Sequence, residues 1–430
     1  MKNSFSAVRT CETNPNWEQC IKREHALYSR DNPIRSEFDR DYTRLLHSQA
    51  YRRLKHKTQV FFAPSNDHIC TRMEHVAHVA SVSTTIARYL GLNAALTQAI
   101  AIGHDIGHAP FGHTGETILN SLLPQKEGKN APKRFWHERN SLFFADYIET
   151  LPDPEGVEKN LDLTYAVRDG LICHCGEIDQ QGIMPRGNAI DLYGIKRPGE
   201  TQPYTWEGCV VKVSDKIAFL GRDIEDAREY HILDMGSYRE LRQLVAETLG
   251  FGPNGKAGTE TTGGVHRSGR AINTGVLIND MIVDLCEQST PQNGICFSEP
   301  YFTFITKLKK FCFANIYNHW RLVEFQKYAE QVLGCVYRLL AKTQPYAQGG
   351  RMAQCLRYYP DLCRTFEDWL VKYTNYAPNG QKDRKALLRY GTTGVFNVHD
   401  WESYQKCIIE YMSGMTDQFA IHVFEEIISF

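Results

Sequence analysis

Histidine is scarce in this chain, 16 among 430 residues, yet His75, His104, His108 and His113 all fall between Arg72 and Glu116. Around them apolar residues recur at helical spacing, first at Val76, Val79, Ala80, Ile86, Ala87 and Leu90, then at Leu96, Ala99, Ile100 and Ile102. The spacing predicts two helices, one carrying His75 and the next ending near His104-Asp105. An apolar helix that runs into His104-Asp105-Ile106-Gly107-His108 buries charge, which is costly without a metal or an ionic partner. Imidazole and carboxylate donors poor in sulfur favour an octahedral or five-coordinate hard or borderline divalent ion, and chemistry at water needs positions left open on it. Neighbouring helical residues point about 100° apart. His104 and Asp105 can therefore share an ion only at the flank between them, with His75 as a third ligand and other segments completing the shell. Taken singly, each histidine reads as an ordinary surface or core residue; the combination points to a metal-assisted hydrolytic site.

A chain of this length makes two or three average domains or one large helical unit. Hydrophobic residues at 42% and charged residues at 23% are ordinary for a globular protein with a sizeable core. A formal net charge of -1 supplies no general field for nucleic acid or anionic membrane, so any basic site has to be local. The 13 cysteines follow no disulfide-like framework and fit a reducing cytoplasm. No apolar run is long enough to span a membrane, and the first residues do not read as a signal peptide.

His75, His104-Asp105 and a downstream aspartate resemble the H...HD...D pattern of HD-domain metal phosphohydrolases. The strings Tyr51-Arg-Arg-Leu-Lys-His-Lys-Thr-Gln-Val-Phe61 and His104-Asp-Ile-Gly-His-Ala-Pro-Phe-Gly-His113 resemble, more specifically, the deoxynucleotide triphosphohydrolase branch of that family. The resemblance implies an all-α fold, an HD-domain helical core extended by C-terminal helices. It divides the chain into an N-terminal arm at 1–35, a catalytic core at 36–235 and a C-terminal helical region at 236–430 that completes the site and the oligomer contacts.

The same resemblance implies hydrolysis of deoxynucleoside triphosphates, dGTP or dNTPs generally, to deoxynucleoside and inorganic triphosphate. The ion would be Mn²⁺, Mg²⁺ or a borderline transition metal such as Fe, Co, Ni or Zn, held by His75, His104, Asp105 and Asp215. His113 matches the acid for the departing 5′ oxygen and Glu116 the carboxylate that orients it, while His108 and His137 match further active-site histidines. Gln59 matches a residue near the deoxyribose, Arg72 and Lys216 match phosphate contacts, Asp223 matches an acid bonding the 3′-hydroxyl, and Tyr317 matches a tyrosine near the sugar. As partners it implies a nucleotide activator, single-stranded DNA and further copies of the chain, as a tetramer or hexamer, in the cytoplasm. The same ligands would also serve a nucleotidase or phosphodiesterase acting on monophosphates or cyclic nucleotides, or a nucleotide-sensing or nucleic-acid-binding module without turnover.

Several other stretches carry weaker signals. Asn14-Pro15-Asn16 and Asp31-Asn32-Pro33 mark turns around a short helix, read as a lid or oligomer arm. Arg40, Arg44, Arg52, Arg53, Lys55 and Lys57 read as a solvated helix face. On one helix, Asp215, Phe219, Arg222 and Asp223 form a single stripe, a mixture unusual for plain core. Leu161 to Glu177 reads as a helix ending in Cys173-His174-Cys175, a run that invites zinc but lacks a second ligand pair at zinc-module spacing. The compositions of 124–134 and 180–205 predict loops. Gly250 to Ala257 nearly spells a phosphate-cradling loop, but Ala257 cannot supply the hydroxyl that holds Mg²⁺, and 250–268 reads as a surface loop. Helical patterning resumes at Ile272, and Glu410 to Ala420 resembles a C-terminal motif of the same family.

Overall fold

The computed structural model describes residues 4–25, 27, 34–62, 68–123, 135–175, 180–249, 273–347, 349–378 and 394–429. The loop expected at 124–134, the near phosphate loop at 250–257 and the surface loop at 250–268 lie wholly outside these. The regular structure of the described residues is almost entirely helical. The exceptions are two short antiparallel pairs, Thr150–Pro152 with Glu158–Asn160 and Gly182–Ile183 with Ile295–Cys296. No described helix is long and apolar enough to cross a membrane.

Local chemistry sets the central helices. Arg72–Leu90 begins at a reciprocal cap, in which the Thr71 side chain accepts from Glu74 N–H and the Glu74 carboxylate accepts from Thr71 N–H. It stops at Gly91, whose φ of 84° suits a residue without a Cβ. Ala94–Gly103, capped by Asn93, is buried from Leu96 onward on almost every face, so it must sit inside the protein rather than on it. It packs against Glu37–His47, Arg72–Leu90 and Tyr165–Cys173. Trp206–Glu229, capped by Thr205, lies against Arg72–Leu90.

Two hydrophobic clusters result. One joins Phe38, Leu45, Ile100 and Leu171 to Val332, Leu340, Ile408, Met412 and Val423, so the last helices share a core with the first ones. The other joins Ile86, Leu90, Val210, Ile217 and Leu220 to Met281, Phe304 and Phe311. The His75 helix feeds both, with Val76 and Val79 in the first and Val82 and Ile86 in the second. The Asp215 helix does the same through Val211 and Ala218 on one side and Val213 and Ile217 on the other. The described part of the N-terminal arm is packed onto this seam and not extended from it. Phe5 is buried edge-on against Trp206 with centroids 4.9 Å apart, and Thr10 Oγ1 donates to Glu207 at 2.8 Å.

Candidate active site

Helix starts and ends bring the polar residues to the seam. His75 lies one turn into its helix on the buried side, His104 ends the Ala94–Gly103 helix, Asp105 follows in the turn, and Asp215 sits midway along Trp206–Glu229. His75 Nε2 lies 3.0 Å from Asp215 Oδ1. His104 Nε2 lies 4.0 Å from the same oxygen and 3.6 Å from Asp105 Oδ2. His104 Nδ1 bonds the Ala101 carbonyl at 2.6 Å, which fixes the ring and turns Nε2 toward the carboxylates. With His174 these residues form two overlapping donor sets sharing His104: His75, His104 and Asp215 in one, His104, Asp105 and His174 in the other, each with ligand atoms within 4.8 Å.

Their protonation suits a cation. Burial opposes charge on Asp105 and Asp215, but His104 and Arg72 hold Asp105 well below the usual carboxylate range, and a hydrogen bond and charge from His75 lower Asp215. Burial lowers His104, drives His108 far down and takes His174 to about 3. Carboxylates kept anionic, and burial that opposes a proton on His104 and His174, are the conditions under which these side chains ligate metal.

Buried polar atoms without a hydrogen-bond partner mark the same place: His104 Nε2, both ring nitrogens of His108, Gln59 Oε1, Glu138 Oε2 and Asp223 Oδ1. Native interiors contain few such atoms, and a cluster of them is where a ligand, ion or water belongs. The donor chemistry therefore fits a divalent metal ion at His75, His104, Asp105 and Asp215.

Beyond Asp105 the histidines continue as a stack. His137 lies face to face with His108, centroids 4.5 Å apart, and its Nε2 is 3.9 Å from Asp105 Oδ1. Glu116 Oε2 is 2.7 Å from His137 Nδ1 and 3.8 Å from His113 Nδ1, so the carboxylate expected to orient His113 is bound more closely to His137. Spacing along one helix pairs Glu116 with His113, but the side chain of His113 is 63% exposed whereas that of His137 is 12%. Burial opposes a charge on His137, yet the carboxylates of Glu138 and Glu116 more than offset it and raise the group to about 10.

Arg72 is buried, with Nη1 on Asp105 Oδ2 at 2.8 Å and Nε and Nη2 on the carbonyls of Thr58 and Gln59 at 3.1 and 3.3 Å. Its fork faces protein groups. Asp223 accepts from Tyr317 Oη at 2.5 Å, and burial raises it to about 7 while the charges of His75 and Arg72 pull the other way. The pair therefore borders the donor cluster. Lys216 instead faces a crevice with Lys212, Gln181 and Phe302 that no metal donor lines.

His174 is a residue of the site that its sequence context masks. The Cys-His-Cys run reads as a weak zinc signal, but the His174 ring stands 4.9 Å from that of His104 and 5.5 Å from that of His137. Its Nδ1 bonds the Leu171 carbonyl at 2.7 Å, so it belongs to the histidine cluster. A histidine at the end of a wholly buried helix was the available signal.

The helical seam with its histidine and aspartate donors defines an HD domain, and the sequence model of the HD-domain family matches residues 72–220. Curated relatives extend the likeness over most of the chain. A deoxyguanosinetriphosphate triphosphohydrolase-like protein of Caldanaerobacter subterraneus is 30% identical over 394 residues, covering 92% of this chain and 85% of the relative. One of Desulfatibacillum aliphaticivorans is 36% identical over 288 residues, 66% and 68% of the two chains. One of Geobacter metallireducens is 27% identical, across 98% of this chain and 94% of its own. The chain belongs to the family of deoxyguanosinetriphosphate triphosphohydrolase-like HD-domain proteins.

Proposed function

We propose that this protein hydrolyses deoxynucleoside triphosphates, dGTP or dNTPs generally, to deoxynucleoside and inorganic triphosphate. The convergence of His75, His104, Asp105 and Asp215, beside the part-buried Asp223–Tyr317 pair, carries this reading. A divalent ion held there supplies Lewis acidity toward the α-phosphate and lowers the pKa of water. Water oxygen bonds to the α-phosphorus and the bond to the 5′ oxygen breaks. The water protons pass to solvent, and the leaving oxygen takes a proton from His113 at the exposed rim. Glu116 fixes His137 and, more loosely, the exposed His113. Gln59 and the Asp223–Tyr317 pair receive the sugar, with the Asp223 carboxyl available to the 3′-hydroxyl. Arg72 holds Asp105 in place while adding positive charge beside the phosphates.

The reading extends to partners and setting. Arg40, Arg44, Arg52, Arg53 and Lys372 line a cavity of about 750 Å³ apart from the metal donors, which suits an anionic activator such as a nucleotide or single-stranded DNA. Phe313, Trp320, Val323 and Tyr328 are exposed along neighbouring turns, in keeping with assembly into a tetramer or hexamer. The reading places the protein in the cytoplasm, where its 13 cysteines would stay reduced.

The deciding experiment incubates the protein with each dNTP and Mn²⁺ or Mg²⁺ and separates the products. Deoxynucleoside plus triphosphate supports the proposal. Release of dNMP plus pyrophosphate, or turnover only of monophosphates or cyclic nucleotides, overturns it.

A further inference from the structure

The loop that delivers His108 and His113 is held from more than its own helices. Its outer strand of contacts comes from the far end of the chain, at the junction of Trp401–Ser413 and Asp417–Ile428. Asp417 is 2% exposed and accepts two backbone N–H groups, Thr58 on Oδ2 at 2.8 Å and Phe111 on Oδ1 at 2.9 Å, across 359 and 306 residues of sequence. Lys57, also 2% exposed, donates from Nζ to the carbonyls of His108 and Ser413. Ser413 Oγ in turn receives Asn140 Nδ2 at 3.0 Å, and the same amide donates to the Gly107 carbonyl at 2.7 Å.

These bonds close a ring. One side is the segment Lys57-Thr58-Gln59, whose Thr58 and Gln59 carbonyls hold Arg72 and through it Asp105. The other side is Gly107 to Phe111, the lead-in to the helix bearing His113 and Glu116. Phe111 has φ of 61° and Gly112 of 62°, consecutive left-handed residues. A bulky side chain resists that conformation, so something outside the loop has to hold it. Nor can the neighbours shift independently, since a Cβ on Gly112 would lie 3.1 Å from the Gln59 carbonyl oxygen and 3.2 Å from Arg72 Nη2.

We infer that Asp417, acting with Lys57 and Ser413, is a positioning residue for the reaction: a C-terminal clasp that sets the spacing between the Gln59 segment and the His108–His113 loop. It touches no substrate. It fixes where the sugar-side glutamine and the histidine stack stand relative to each other, and a displacement of about 1 Å between such groups costs on the order of 100-fold in rate. The inference rests on the triphosphohydrolase reading for its rate consequence, but the clasp itself has a readout that needs no turnover.

The test compares the full-length protein with Asp417→Asn. The amide is isosteric, but one of the two backbone N–H groups then faces an NH₂ in place of an oxygen. Hydrogen exchange followed by mass spectrometry should show peptides spanning 57–62 and 106–112 exchanging about tenfold faster or more, while peptides from Arg72–Leu90 and Trp206–Glu229 keep the parent's rates. Bound metal should stay at the parent level. In steady-state assays kcat for dNTPs should fall about tenfold or more with KM within about threefold, the split expected when reacting groups are misplaced and binding is kept.

Unchanged exchange in those two peptides, acceleration shared equally by every helix, or faster exchange with kcat within about twofold of the parent would each overturn the inference. Should Asp417→Asn fail to fold, Ser413→Ala removes the link to Asn140 together with the local Oγ bond to the Glu410 carbonyl, leaves the Ser413 carbonyl on Lys57, and should accelerate the 106–112 peptide by about threefold; no change there has the same force. If the parent releases no triphosphate, the functional reading fails and the exchange arm alone decides the clasp.

Discussion

Arg72 and Asp105 form an ion pair at 2.8 Å with each side chain only 3% exposed. Removing one member of such a pair strands the other's charge in the interior, at a cost of roughly 3–5 kcal/mol. Arg72→Met should therefore melt well below the parent in EDTA. A divalent ion gives Asp105 a second cationic partner, so adding Mn²⁺ should recover part of the loss. Calorimetry with and without metal checks this; an equal deficit in both conditions would show that Asp105 does not face the ion.

His75→Ala and Asp215→Ala each remove a donor from the set in which the parent atoms stand 3.0 Å apart. Each should lower bound metal by about 10-fold or more, as measured by elemental analysis after gel filtration, and reduce turnover by ~10³-fold. Chelation of the parent should abolish activity, and metal should restore it. A variant that retains stoichiometric metal would remove that residue from the ligand set.

The part-buried bond from Tyr317 to Asp223 predicts a defect in binding more than in chemistry. Tyr317→Phe leaves both carboxylate oxygens of Asp223 short of a partner, and KM for dNTPs should rise by about tenfold, equivalent to ~1.4 kcal/mol, with kcat within about threefold. Steady-state kinetics decide it, and an unchanged KM would place the pair away from the sugar.

Glu116→Gln withdraws one of the two carboxylates that hold a proton on His137 near pH 10. A histidine whose pKa is raised in the folded state is charged below that pKa and loses the charge as pH climbs through it, so weakening the carboxylate partner should move the loss of charge to lower pH. In metal-free protein, histidine NMR should show His137 titrating at least about one unit earlier than in the parent. With metal, kcat should drop ~10²-fold.

Away from the site, burial raises Glu410 from its ordinary 4.5 to about 7. An acid whose folded pKa exceeds its unfolded one binds its proton more tightly in the native state. Stability is therefore lost as pH rises from about 4.5 to about 7, and the loss is complete above that window. Glu410→Gln carries no charge at any pH. It should melt a few degrees above the parent at pH 8 and close to it at pH 4.5, since a penalty of a kcal/mol or two moves Tm by about that much in a chain of this size.

Helix positions were legible in the sequence because burial on one face imposes a 3.6-residue period, as in Val76, Val79, Ile86 and Leu90. The caps at Thr71 and Asn93 set where those helices begin, and the stripe from Asp215 to Asp223 does lie along one helix, Trp206–Glu229. Pairings between helices were not legible. Glu116 sits three residues from His113, and spacing joins them, yet the closer imidazole comes from the His137 helix. His174 was hidden by its two flanking cysteines, both buried, although it faces other histidines. Lys57 read as one cation of a solvated face, but its ammonium is enclosed by carbonyls from segments far away in sequence. Periodicity reports which side of a helix is dry; it carries no information about which other helix supplies the partner.

The two hydrophobic clusters meet along the helices that carry His75 and Asp215, with His104 and Asp105 reaching in from the first cluster. An ion gripped there works as a rivet through both halves of the molecule, and its binding energy adds to whatever holds them together. The protein's lifetime against proteases and heat is then tied to the supply of divalent cation around it. A cell starved of that cation would lose the polypeptide itself as well as its turnover.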